Sequence, residues 1–210
     1  MKASENQARK YWIEQQAELP SMFRKIDVQK LHASEQREMI GYFPDLKGKR
    51  ILDLGSGIGR YTRYFSQHAQ HLTSVDLVPQ FVQKNREDHA DCQNIDWICS
   101  DVMQIQLHEK SYDFIFFNWL FMYLEDAEVK QLLERSHLWL TRDGELFIRE
   151  TCELKRSKSR DPTYFVHYRT MAEYASFLHK NWDVRKEGEL KTYIYCYNDP
   201  FQCYWHCRKK

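Results

Sequence analysis

A chain of 210 residues that is 42% apolar can bury the core of one α/β domain with a few additions. Its 31 Lys and Arg against 30 Asp and Glu leave a net charge of +1, which removes any electrostatic argument for a nucleic-acid or acidic-membrane partner. No apolar run approaches the ~20 residues of a membrane-spanning helix. The opening MKASENQARKYW has no apolar signal-like stretch, and the six cysteines form no C-x-x-C pair. The expectation is therefore a cytoplasmic protein with reduced thiols.

In chain order, residues 4–18 are helix-prone around Tyr11, Trp12 and Ile13, and Pro20 ends that segment. Ser34 reads as the N-cap of a helix that runs through Met39 to Phe43 and stops before Pro44. Arg50–Leu54 is the first strand, and a helix from about Gly59 to Ala69 follows. Leu72–Asp76 is the second strand, and Pro79 opens a helix to about Asp88. Ile95–Cys99 and Phe114–Asn118 are strands three and four. The fourth is a continuous apolar run of the kind buried on both faces of a parallel sheet. A helix over Asp126–Leu140 directs Val129, Leu132, Leu133 and Leu138 inward, Asp143-Gly144 marks a turn, and Glu145–Arg149 is strand five. Lys155–Asp161 (KRSKSRD) is a basic loop, read either as solvated chain or as a lid over an anionic substrate. A helix spans Thr170–His179. Lys191–Tyr197 and Gln202–Arg208 flank Asn198-Asp199-Pro200 and read as an antiparallel hairpin. Cys203, His206 and Cys207 lack a second ligand pair, so no metal site is expected. The alternation of strands and helices predicts a parallel, doubly wound sheet.

The informative stretch is RILDLGSGIGR, residues 50–60. A strand ends in Asp53 and passes into Gly55, Ser56, Gly57 and Gly59, a turn that lets backbone approach a ligand. Asp76, followed by Leu77, closes the next strand, at a spacing that suits a carboxylate gripping ribose hydroxyls. Asp101 and Val102 follow strand three, where a carboxylate can accept from an adenine amino group and a backbone N–H can meet a ring nitrogen. Asn118 follows strand four. The acid before the first glycine departs from the G-x-G-x-x-G dinucleotide fingerprint, and no P-loop lysine is present.

Asp53 to Gly59, Asp76 and Asp101 resemble the S-adenosylmethionine site of the class I methyltransferases. That resemblance implies a Rossmann-like, seven-stranded, mostly parallel sheet with an antiparallel last strand. Tyr11–Glu14, Gly57–Arg60, Asn118–Leu124, Arg149–Cys152 and His167–Arg169 are, further, similar to segments of the phosphoethanolamine N-methyltransferases of plants and nematodes. The implied unit is a single methyltransferase domain, with residues 1–47 as a helical cap, 48–152 as cofactor core and 153–210 as substrate loop and hairpin. The implied chemistry is methylation of phosphoethanolamine toward phosphocholine by a monomer, with S-adenosylhomocysteine as by-product. Tyr123 and Tyr11 are the expected amine-orienting, proton-accepting residues. Arg169 supplies a fork for phosphate, with Tyr164, His167 and Tyr168 beside it and Arg149 as a further candidate. Two alternatives stay open, a protein N-terminal α-amino methyltransferase and a non-catalytic S-adenosylmethionine-binding subunit.

Overall fold

The computed structural model describes residues 8, 10–23, 28–153 and 165–210. The basic segment from Lys155 to Asp161, and Tyr164, lie outside the described residues. In chain order the elements are α1 (Val28–Tyr42), β1 (Arg50–Leu54), α2 (Thr62–His68), β2 (His71–Asp76), α3 (Pro79–Asp88), β3 (Ile95–Cys99) and β4 (Tyr112–Asn118). They continue with α4 (Asp126–Trp139), β5 (Leu140–Thr151), α5 (Met171–Leu178), β6 (Trp182–Glu189), α6 (Lys191–Tyr197) and β7 (Gln202–Lys209). Short 3-10 turns occupy Leu19–Met22 and Phe121–Tyr123.

The seven strands form one sheet in the order β3-β2-β1-β4-β5-β7-β6. β1 to β5 pair in parallel, and β7 runs antiparallel to both β5 and β6. Strand alternation sorts β4 into two cores. Phe114 and Phe116 pack with Leu31 and Met39 of α1, Phe65 of α2 and Tyr193 of α6. Ile115 and Phe117 pack with Val129, Leu132 and Leu133 of α4 and Leu178 of α5. Each of these four β4 side chains is at most 1% exposed, and such burial stabilises by roughly 1.5–3 kcal/mol per side chain.

Several sequence expectations shift. Ser34 lies inside α1, because the helix begins at Val28 and buries Leu31, Glu35 and Met39 at four-residue spacing. Asp143-Gly144 does not end a strand. It sits within β5, where the register against β4 slips between Tyr112 and Phe114. Leu138 is 51% exposed rather than inward-facing.

The largest correction concerns the expected terminal hairpin. Residues 191–197 are helical, and β7 pairs instead with β6, an edge strand whose mostly charged WDVRKEGE carries no apolar strand pattern. The β-prone tyrosines of α6 are overridden by tertiary capping. Glu38 of α1 accepts from the backbone N–H groups of Lys191 and Thr192, both at 2.7 Å, and Asn198 ends the helix at φ 51°.

Gly59 is needed for two reasons. Its φ is +85°, and a Cβ there would lie 2.1 Å from Oδ1 of the buried Asn85, which donates to Ser74 Oγ at 3.0 Å. Gly59→Ala should therefore cost at least about 1–3 kcal/mol, read as a lower urea midpoint. An unchanged midpoint would show that the turn can relax.

Candidate active site

β1 and β4 are neighbours although β2 and β3 lie on the far side of β1, so the strand order reverses between them. Ligands of open α/β sheets sit at this point, beyond the carboxyl ends of the strands. A cleft of about 1130 Å³ opens there. Its floor is the glycine turn. The N–H groups of Gly55 and Ser56 donate to Val75 O at 2.9 and 3.0 Å, which pins the turn against β2. Gly55 and Gly57 take φ values of 76° and 56°.

Asp76 ties two turns together. Its Oδ2 accepts from Gly57 N at 2.7 Å and its Oδ1 from Val78 N at 2.9 Å. Asp53, 3% exposed, lines the same floor. Burial, followed by the negative charge of Asp76, pushes the Asp53 carboxyl up to about 8. Burial also raises Asp76, against the pull of its backbone donors. Leu77, Asp101 and Val102 line the next part of the wall, and Asp101 Oδ1 accepts from Met103 N at 2.8 Å. Asn118 lines the cleft as well, with a buried Oδ1 that has no hydrogen-bond partner. Acids able to take ribose hydroxyls, an acceptor for an adenine amino group and an unmatched amide oxygen fit the nucleoside and amino-acid ends of S-adenosylmethionine.

The segment after β4 carries the second half of the site. Trp119 takes a left-handed φ of 56°, and the chain turns back over the sheet. Glu150 at the end of β5 accepts from the N–H groups of Leu120, Phe121 and Met122 at 2.8, 2.6 and 3.2 Å. Burial lifts this carboxyl to about 7 even though the three donors pull it down. From the other side, Arg169 donates to Asp126 Oδ1, Phe121 O and Leu124 O at 2.9, 2.8 and 2.6 Å. Held this way, the turn places Tyr123 in the cleft, its ring 5.5 Å from Trp12, which in turn lies 5.3 Å from Tyr11. Tyr11 and Tyr123 thus flank one indole on a shared wall.

Among its described members, the expected phosphate set is not brought together. Arg169 is fully buried and its fork is occupied by protein carbonyls and Asp126, so it braces the turn rather than facing the cleft. His167 lies 3.1 Å from Glu125 through Nε2 and is tied by its backbone N–H to Met122 O. Arg149 is buried behind the cleft-lining Trp119, with its guanidinium 3.4 Å from that ring. Tyr168 does line the cleft. Sequence reasoning passed over Trp12, Trp119, Tyr193 and Gln202, and also Arg60, which stood in plain view after the third glycine and lines the cleft.

The Asp53 carboxyl makes stability depend on pH. Its folded pKa lies above the ordinary carboxylate value of ~4, so its contribution is complete below pH ~4 and is lost as pH rises to about 8. Thermal unfolding of the ligand-free protein should show stability falling across that window, and Asp53→Asn should flatten the slope. A slope unchanged by the substitution would place the cause elsewhere.

Residues 51–144 match the family model described as a methyltransferase domain. Phosphoethanolamine N-methyltransferase 1 of Triticum aestivum is 33% identical over 183 residues, covering 85% of this chain and 37% of that protein. The structure of Haemonchus contortus phosphoethanolamine N-methyltransferase 1, in complex with phosphoethanolamine and S-adenosylhomocysteine, superposes with a TM-score of 0.91 at 30% identity. It covers 98% of this chain and 49% of that one. An S-adenosylmethionine-dependent methyltransferase of Leishmania major shares the fold, with a TM-score of 0.85 at 22% identity and coverage of 99% and 84%. The chain spans less than half the length of these two phosphoethanolamine N-methyltransferases. With the switch-point cleft, its glycine turn and its acids in place, the chain belongs to the class I S-adenosylmethionine-dependent methyltransferases, within the phosphoethanolamine N-methyltransferase family.

Proposed function

We propose that this chain methylates the amine of phosphoethanolamine, toward phosphocholine, with S-adenosylmethionine as methyl donor. The observation that carries the reading is the continuity of the cleft, which joins the acid-lined nucleoside half to the Tyr11, Tyr123 and Tyr168 half in one cavity. Asp76 would hold the ribose, Asp101 and Val102 the adenine, and the glycine turn, Asn118 and Arg60 the amino-acid end. When bound, the cofactor supplies an electrophilic methyl group on a sulfonium.

The protein's task is geometric and protonic. An alkylammonium with a pKa near the lysine value of ~10.4 has no lone pair, so the acceptor must be desolvated and relieved of a proton. Tyr123 and Tyr11 orient the nitrogen and accept from it, with the aromatic wall excluding water. Holding reacting atoms at about 3–3.5 Å in line supplies much of the rate. For phosphate, Tyr168 is the described cleft-lining donor, whereas Arg169 is spent on the turn after β4. We take the working unit to be one methyltransferase domain, monomeric and cytoplasmic.

One observation favours a second reading. Among the described lining residues, the acids Asp53, Asp76 and Asp101 stand with one basic side chain, Arg60, which suits a cationic acceptor such as a protein α-amine. Turnover with labelled cofactor separates the two. Phosphoethanolamine should be used in strong preference to ethanolamine, because donors arranged for phosphate are left unpaired without it. Efficient methylation of an N-terminal peptide with no activity on phosphoethanolamine would install the second reading instead.

Tyr123→Phe should lower kcat by ~10²–10⁴-fold, the usual worth of a positioned proton acceptor, while leaving the Kd for S-adenosylhomocysteine unchanged. A kcat near that of the unaltered protein would make the hydroxyl a packing group.

A further inference from the structure

Arg60 lines the cleft beside the glycine turn, yet its side chain is only 6% exposed. Helix α1 holds it at three points. Glu35 Oε1 lies 3.0 Å from its Nη2, its Nε donates to His32 Nδ1 at 3.4 Å, and Gln36 Nε2 donates to its carbonyl at 2.5 Å. Residues 32, 35 and 36 share one helix face by their three- and four-residue spacing.

Glu35 is itself fully buried. Its Oε2 accepts from the Tyr193 hydroxyl of α6 at 2.9 Å, and its Oε1 from Tyr61 at 3.4 Å. Arg149 lies 3.8 Å from the same carboxylate, and its three guanidinium nitrogens are buried without hydrogen-bond partners. Two buried cations therefore share one buried anion. Arg60 Nη2 is close to Glu35 but off the line of a hydrogen bond. The hold is thus chiefly coulombic, which directs the guanidinium without saturating its donors.

We propose that Glu35 is a positioning residue. Its carboxylate aims Arg60 at an anionic group bound beside the glycine turn, the carboxylate of the cofactor's methionine end, and so makes α1 a structural part of cofactor recognition. The inference rests on reading this cleft as the S-adenosylmethionine site, and it is independent of which amine is methylated.

Two probes separate positioning from mere folding. S-adenosylhomocysteine carries the methionine-end carboxylate, whereas 5′-methylthioadenosine keeps the nucleoside and lacks the amino-acid end. Calorimetric titration of Glu35→Gln should show roughly tenfold weaker S-adenosylhomocysteine binding, with 5′-methylthioadenosine within about twofold of the unaltered protein. Arg60→Met should give the same split, and adding Glu35→Gln to it should change nothing further. If Glu35→Gln does not fold, Glu35→Gln with Arg149→Met restores the charge balance and should show the same pattern. Equal weakening of both probes would make Glu35 a folding residue and overturn the proposal, as would unchanged binding of both. Failure of the unaltered protein to bind either probe would instead refute the cofactor-site reading.

Discussion

The site depends on a buried carboxylate that spends itself on backbone. Glu150, near the end of β5, gathers three consecutive N–H groups of the turn after β4. Left-handed Trp119 makes that turn costly in isolation. With the acid in place, the chain reverses over the sheet and sets Tyr123 into the cleft wall beside Trp12. Arg169 completes the clamp by taking carbonyls from the same turn, so acid and base hold opposite polarities of one loop. A buried charge satisfied by peptide groups is worth more as a geometric constraint than as a source of stability.

This arrangement explains which parts were legible in the sequence. The βα units from β1 to α4 could be read because short β-prone segments, densest in β4, alternate with helical ones, and Pro79 marks the start of α3. Asp53, the glycines, Asp76 and Asp101 could be read because strand ends in a parallel sheet are also ligand ends. Local sequence carries both kinds of information.

Arg169 differs from its expected role for a physical reason, since its fork is spent on Asp126 and the carbonyls of Phe121 and Leu124. An arginine in a tyrosine-rich basic stretch looks the same whether its fork meets phosphate or peptide carbonyls, and only the packed turn decides. The helix α6 was hidden likewise. Tyr-Ile-Tyr-Cys-Tyr has strand propensity, and its capping acid, Glu38, lies 153 residues away from the N–H it accepts. β6 escaped notice because an edge strand needs little apolar patterning. Arg60 shows the converse case, a residue inside the motif whose importance emerges only once α1 is seen wrapped around it.

That wrapping has a consequence for how such chains can be divided. Read along the sequence, residues before β1 are an appendage to a catalytic core. In space, α1 holds two other parts of the chain, Arg60 at the glycine turn through Glu35 and the start of α6 through Glu38. The smallest transplantable unit is therefore larger than the segment recognisable by motif. A graft or truncation drawn at the first strand would cut through the wall of the site instead of alongside it.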